Sequence, residues 1–163
     1  MFTQAYSSPN APKALGPYSQ AVKLGDFVYL SGQVPLSPET GEIVGTTIQE
    51  QTQQVLKNIE AVLMELNLEL RHVLKTTVFM SDLKEFDGMN EIYGTYFQQP
   101  YPARSTVQVA ALPKGAKIEI ECIVIDTLAY EKQMAHSHEG CDGGCCGGEE
   151  EGCSGGCCGG DCD

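Results

Sequence analysis

The stretch from Pro102 to Asp126, Pro-Ala-Arg-Ser-Thr-Val-Gln-Val-Ala-Ala-Leu-Pro-Lys-Gly-Ala-Lys-Ile-Glu-Ile-Glu-Cys-Ile-Val-Ile-Asp, decides the fold class. It reads as two paired strands joined by a Leu-Pro-Lys-Gly-Ala connection. In the first, Val107 and Val109 face one way and Arg104, Thr106 and Gln108 the other. In the second, Ile118, Ile120, Cys122 and Val124 alternate with Glu119, Glu121, Ile123 and Ile125. Charged groups on such strands are usually paired or turned to a polar ligand. Arg104 and Glu119 therefore admit two readings. One is an edge-strand ion pair or a solvated face; the other is a binding site.

Working outward, the chain before this stretch alternates strands and helices. Phe2 to Tyr6 is a short candidate strand, followed by a Ser-Ser-Pro-Asn-Ala-Pro loop. Two β-like runs, Tyr18 to Leu24 and Phe27 to Ser31, flank Gly25-Asp26, a hairpin signal. Thr47-Ile48-Gln49-Glu50 is a capping-box pattern. After it Ile48, Thr52, Val55, Leu56, Ile59, Val62, Leu63 and Leu66 recur at helical spacing, with Asn67 as a left-handed stop. Val73 to Met80 is the next strand. Asp82 to Glu85 caps a second helix that runs to about Phe97 through Phe86, Met89, Ile92, Tyr93 and Tyr96, with Asn90 inside it. The order β-β-β-α-β-α-β-β predicts an α+β layer of two helices on one face of a mixed sheet. The other face still carries Val, Ile and Leu, which predicts burial in an oligomer.

Composition narrows the function classes. The 163 residues carry a net charge of −12. Residues 1–129 hold 14 acids and 9 bases, and residues 130–163 hold 8 acids and 1 base. An acidic chain without a basic cluster has little with which to neutralise phosphates, so nucleic acid is a poor partner. No apolar run reaches membrane-spanning length and no leader pattern opens the chain, so a cytoplasmic protein is expected. Only Cys122 of the eight cysteines lies before residue 130, on the apolar side of its strand. The boundary is placed there, giving a folded domain over 1–129 and a tail over 130–163.

The motifs Gly16-Pro17-Tyr18-Ser19-Gln20, Ser31-Gly32-Gln33, Lys75-Thr76-Thr77-Val78-Phe79, Asn90-Glu91-Ile92-Tyr93, Pro102-Ala103-Arg104-Ser105 and Lys117-Ile118-Glu119-Ile120-Glu121 stand in order along the first 129 residues. In this the chain resembles the Rid/YjgF family of reactive-intermediate deaminases. The resemblance implies a chorismate-mutase-like α+β fold and a homotrimer whose sheets form a central barrel with the helices outside. It implies substrate clefts between adjacent subunits, and hydrolysis of enamine or imine acids such as 2-aminoacrylate to a 2-keto acid and ammonia without a cofactor. Carried over residue by residue, Arg104, Glu119 and Tyr18 are the catalytic candidates, and Ser31, Gly32, Asn90 and Thr106 line the substrate.

The chemistry suits these residue types. An Arg fork can bind a carboxylate in bidentate fashion, which Lys cannot. A carboxylate can orient the attacking water and accept its proton. Imines hydrolyse readily, so orientation and desolvation suffice. Glu119 matches the family's glutamate and Glu121 does not. Many members carry Cys where this chain has Thr106, so a thiol nucleophile is not required here.

The resemblance does not cover the tail. Residues 139–149, Glu-Gly-Cys-Asp-Gly-Gly-Cys-Cys-Gly-Gly-Glu, recur as residues 151–161, Glu-Gly-Cys-Ser-Gly-Gly-Cys-Cys-Gly-Gly-Asp. Residues 130–163 hold 10 glycines, one leucine-free and isoleucine-free segment with nothing to build a core. Thiolates are soft ligands, so Cys141, Cys145, Cys146, Cys153, Cys157, Cys158 and Cys162, with His136 and His138, suit Zn, Ni or Cu. Reduced cysteines favour metal over a disulfide framework. The competing reading is a low-complexity solubility segment. For the whole chain, three functions compete: the imine deaminase, a small-carboxylate-binding or chaperone-like module of the same fold, and a metal-handling protein on a trimeric scaffold.

Overall fold

The computed structural model describes residues 2–128, 130, 131 and 134. The chain divides into two units, Met1–Ala129 and Tyr130–Asp163. Within the first, the elements are β1 (Gln4–Tyr6), β2 (Ala21–Leu24), β3 (Phe27–Gln33), α1 (Ile48–Met64), β4 (Val73–Met80), α2 (Phe86–Tyr96), β5 (Ala103–Gln108) and β6 (Ile118–Ile125). This is the expected order and the expected α+β layer. The sheet runs β1-β2-β3-β6-β4-β5, antiparallel throughout except for the parallel pair β4 and β5.

That order corrects one expectation. β5 and β6 are not paired: β4 lies between them, in register with Arg104 through Thr76 and with Glu119 through Phe79. The Leu112–Ala116 connection therefore is no tight hairpin. It crosses β4 by way of a single 3-10 turn at Pro113–Gly115, where Lys114 and Gly115 both take positive φ. Two ends also move. β1 begins at Gln4, leaving Phe2 94% exposed, and β2 begins at Ala21 rather than Tyr18. The residues before β2 are held by Gln20 instead. Its side chain accepts from Ser8 N at 2.6 Å and donates to Pro12 O at 2.7 Å.

The helices form for the reasons their sequence gives. Thr47 caps α1: its hydroxyl accepts from Glu50 N while the Glu50 carboxylate accepts from Thr47 N, at 3.2 and 3.1 Å. Asn67 takes a φ of 57° just beyond the helix. Asp82 caps a 3-10 turn, Leu83–Glu85, which leads into α2. Val55, Leu56, Ile59, Val62 and Leu63 are fully buried against Val28, Val78, Ile118, Ile120 and Val124 of the sheet. Each such side chain contributes about 1.5–3 kcal/mol by leaving water. The opposite sheet face is different. Phe27, Tyr29 and Val107 stay 45%, 52% and 42% exposed, beside half-buried Ile123 and Ile125.

Candidate functional site

The first group of site residues gathers where β5 meets α2. Phe86, Asn90 and Tyr93 are spaced four and three residues apart, so they form one stripe on α2. Arg104 faces that stripe. Its register partner Thr76 is buried and its side chain lies on the helix side of the sheet. The guanidinium carbon sits 4.6 Å from the Tyr93 ring centroid and 5.6 Å from that of Phe86. One terminal nitrogen donates to Asn90 Oδ1 at 2.9 Å. Among the described residues no carboxylate pairs with Arg104. The edge-strand ion pair is therefore not what this arginine makes. Two residues along the same face, the Thr106 hydroxyl oxygen is buried without a hydrogen-bond partner.

The second group lies on the other face. Glu119 pairs in register with Phe79 and projects away from the helices, with Glu121 beside it. Its carboxylate rests on Gly32. A Cβ at position 32 would lie 1.9 Å from Glu119 Oε1 and 2.7 Å from its Cδ, so the carboxylate can take this position only beside a glycine. Gly32 and Ser31 occupy a bulge between β3 and β6, where the register slips between Leu30 and Gln33. Ser31 Oγ donates to Ser19 O at 2.7 Å, and Tyr18 OH accepts from Leu15 N at 3.2 Å. Tyr18, Ser31, Gly32 and Glu119 line a groove of about 360 Å³ with Leu15, Gly16, Val34 and Pro113. Asn58 steadies its rim by donating to Val34 O and Leu36 O, both at 3.0 Å.

Electrostatics sharpen Glu119. Burial raises its pKa above the ordinary 4.5, and the charge of Glu121 raises it further. Half-buried and without a cation among the described residues, it is suited to trade protons nearer neutrality than a solvated glutamate. The two groups, Arg104, Asn90 and Thr106 on one face and Tyr18, Ser31, Gly32 and Glu119 on the other, do not meet within one chain. Their strands are two sheet spacings apart, roughly 9–10 Å, and the side chains diverge from opposite faces.

A larger cavity of about 610 Å³ lies between Glu60, Met64, Leu70, Tyr96, Phe97 and Pro100 and contains none of these residues. Its arginine, Arg71, is engaged by Glu69 at 3.3 Å. Size therefore does not select the site; Arg104, held on two aromatic rings with no carboxylate partner among the described residues, does. Sequence reasoning placed Phe86 and Tyr93 on the second helix, Tyr93 within the Asn90-Glu91-Ile92-Tyr93 motif, and gave neither a role in the site. Their signal was the spacing with Asn90. His136, His138, Cys141, Cys145, Cys146, Cys153, Cys157, Cys158 and Cys162 lie outside the described residues, among which no His, Cys, Asp and Glu cluster could hold a metal. No helix among the described residues is long and apolar enough to cross a membrane.

The family model described as Endoribonuclease L-PSP matches residues 8–126. The chain belongs to the Rid/YjgF family. The Rid/YjgF match is close at the level of individual proteins. Reactive Intermediate Deaminase A, chloroplastic, of Arabidopsis thaliana is 52% identical over 120 residues, 74% of this chain and 64% of that protein. The 2-iminobutanoate/2-iminopropanoate deaminase of Mus musculus is 46% identical over 119 residues, 73% of this chain and 88% of that one. The crystal structure of E. coli TdcF with bound serine superimposes with a TM-score of 0.72 at 43% identity, covering 75% of this chain and 98% of that one.

Proposed function

We propose that this Rid/YjgF protein hydrolyses small 2-imino acids, and the enamines in equilibrium with them, to 2-keto acids and ammonia. The observation that carries this is Arg104: a guanidinium laid on two aromatic rings, tied to Asn90, and without a carboxylate partner among the described residues. Such a cation is arranged for an anion brought from outside. Relatives named as deaminases of 2-iminobutanoate and 2-iminopropanoate, and one crystallised with serine, act on or hold small molecules of this carboxylate class. A ribonuclease reading, suggested by the family model's description, fits poorly with a charge of −12.

Because Arg104 and Glu119 diverge from one chain, the cleft is completed by a second copy, in a homotrimer. The exposed apolar face carrying Phe27, Tyr29 and Val107 supports that assembly. In the cleft, Arg104 of one copy holds the substrate carboxylate. Glu119 of the next takes a proton from water as the water oxygen bonds to the imine carbon. Glu119 hands that proton to the imine nitrogen, which gives the carbinolamine; the hydroxyl proton then passes through Glu119 to nitrogen as C=O forms, the C–N bond breaks and ammonia leaves. Tyr18 and Thr106 hydroxyls orient the substrate from either side. Only water is consumed, so no redox partner enters. Coupled turnover of amino-acid-derived imines tests the proposal: keto acid should form faster than in buffer alone, and equal rates would reject it.

A second activity rests on the tail alone. We infer that His136, His138 and the seven cysteines from Cys141 to Cys162 bind Zn, Ni or Cu, supported by the duplicated Glu-Gly-Cys-x-Gly-Gly-Cys-Cys-Gly-Gly unit. Metal analysis of full-length protein against protein ending at Tyr130 decides it. Equal metal content in the two would leave the tail without this role.

A further inference from the structure

We propose that Tyr93, helped by Phe86, is a positioning residue that seats the Arg104 guanidinium for carboxylate binding. The inference rests on the reading of Arg104 as the carboxylate-binding cation. Arginine carries much rotamer freedom, and on edge strand β5 it has no acidic partner among the described residues to restrain it. Restraint comes instead from a single rung of the sheet. Thr76 and Arg104 are register partners on β4 and β5. The Thr76 hydroxyl shares a 2.8 Å buried hydrogen bond with the Tyr93 hydroxyl, which fixes the far end of the ring. Phe97 stacks on Tyr93 at 4.4 Å between centroids, which fixes its plane.

The ring so held is 5% exposed, yet its face lies 4.6 Å from the Arg104 guanidinium carbon. The negative quadrupole of the face attracts the cation. The ring thereby occupies one side of the guanidinium plane. Phe86, at 5.6 Å, contributes a second face, and Asn90 engages one terminal nitrogen. The remaining N–H donors stay available for a carboxylate. Burial also raises the Tyr93 phenol pKa above 10.0, so the ring stays neutral and does not compete as an anion. A residue in this place acts through Arg104 and never touches the reacting atoms.

The test compares wild type, Tyr93→Met, Tyr93→Phe and Arg104→Ala as full-length chains. Keto-acid production gives KM and kcat, calorimetry gives the Kd of pyruvate, and circular dichroism reports folding. Met fills most of the ring's volume without its face. Tyr93→Met should raise KM and the pyruvate Kd by about 2- to 30-fold, the range of one cation–π contact, with kcat within about twofold of wild type. Tyr93→Phe keeps the face and should restore both constants. Unchanged KM and Kd in a folded Tyr93→Met, or a loss confined to kcat, overturns the proposal while a dead Arg104→Ala leaves the carboxylate reading standing. Wild-type turnover by Arg104→Ala overturns both. Should Tyr93→Met not fold, half-buried Phe86→Leu decides: a smaller rise in KM supports the aromatic seat, and no rise overturns it.

Discussion

Gly32→Ala separates folding from catalysis in this protein more cleanly than any change to a charged residue. Gly32 does not take a positive φ, so an alanine is permitted by the backbone of β3. The three atoms nearest the new methyl all belong to the side chain of Glu119, with Oε1 at 1.9 Å, Cδ at 2.7 Å and Cγ at 3.0 Å. Ordinary contact begins near 3.4 Å, so the carboxylate oxygen must retreat by about 1.5 Å, the difference between 3.4 and 1.9. A glutamate tip can swing that far at small cost, and alanine in an extended strand offsets part of it by restricting the unfolded chain, by up to ~1 kcal/mol. Stability should therefore change by less than ~1 kcal/mol. If Glu119 orients the attacking water, as proposed, that water is misplaced by a similar distance, and a misplacement of about 1 Å can cost ~100-fold in rate. The proposed carboxylate contact to Arg104 would be untouched, so KM should hold within a factor of about three. Thermal melting followed by coupled imine turnover gives both numbers. A folded Gly32→Ala enzyme with wild-type kcat would refute the placement of Glu119 as the base.

Arg104→Ala should leave the fold intact and lower kcat/KM by about 30- to 1,000-fold, the loss of ~2–4 kcal/mol in a charge-assisted bidentate contact; steady-state kinetics with a carboxylate-bearing imine measures it. Glu119→Gln should bind pyruvate with wild-type Kd by calorimetry but lose turnover, and normal turnover would shift the role to Glu121. The pH profile carries a sign. Glu119 acts as a base when deprotonated, and burial raises its pKa, so the acid limb of kcat/KM should fall at a pH above the ordinary 4.5. Removing the neighbouring charge with Glu121→Gln should move that limb to lower pH; a limb that stays put would show the two carboxyls do not interact. Truncation after Tyr130 should leave deaminase kinetics unchanged, because the site residues lie between Tyr18 and Glu119.

What could be read without coordinates was what short-range periodicity encodes. The α1 stripe from Ile48 to Leu66 repeats with the helical period, so its buried face is written locally; the bounds of Val73–Met80 were legible as well, but its alternation breaks between Val73 and Lys75, and its buried side is Val73, Thr76, Val78 and Met80. The neighbour of β5 is not. Arg104 and Glu119 lie 15 positions apart across a Pro-Lys-Gly turn that looks like a hairpin, yet β4, from a remote part of the chain, separates them. Alternation told which residues share a face with Arg104 and which with Glu119. It did not tell that the two faces are opposite, since that depends on the register each strand makes with β4. Tyr93 escaped for another reason. It is a core residue by burial and a neighbour of the site by the ring face it turns to Arg104, and a helical stripe reports only the first. The Gly32 contact with Glu119 needs the bulge in β3, which no local pattern marks.

Subunit mixing examines the shared cleft directly. Chains carrying Arg104→Ala and chains carrying Glu119→Gln, each inactive alone, are co-expressed in equal amounts and the hybrid oligomers purified. If Arg104 of one copy works with Glu119 of the next, random assembly places two intact residues together in about a quarter of the clefts, and close to that fraction of wild-type turnover should return. If both residues serve the same chain's site, no cleft is ever complete, and hybrids that stay as inactive as their parents would contradict a cleft built between copies.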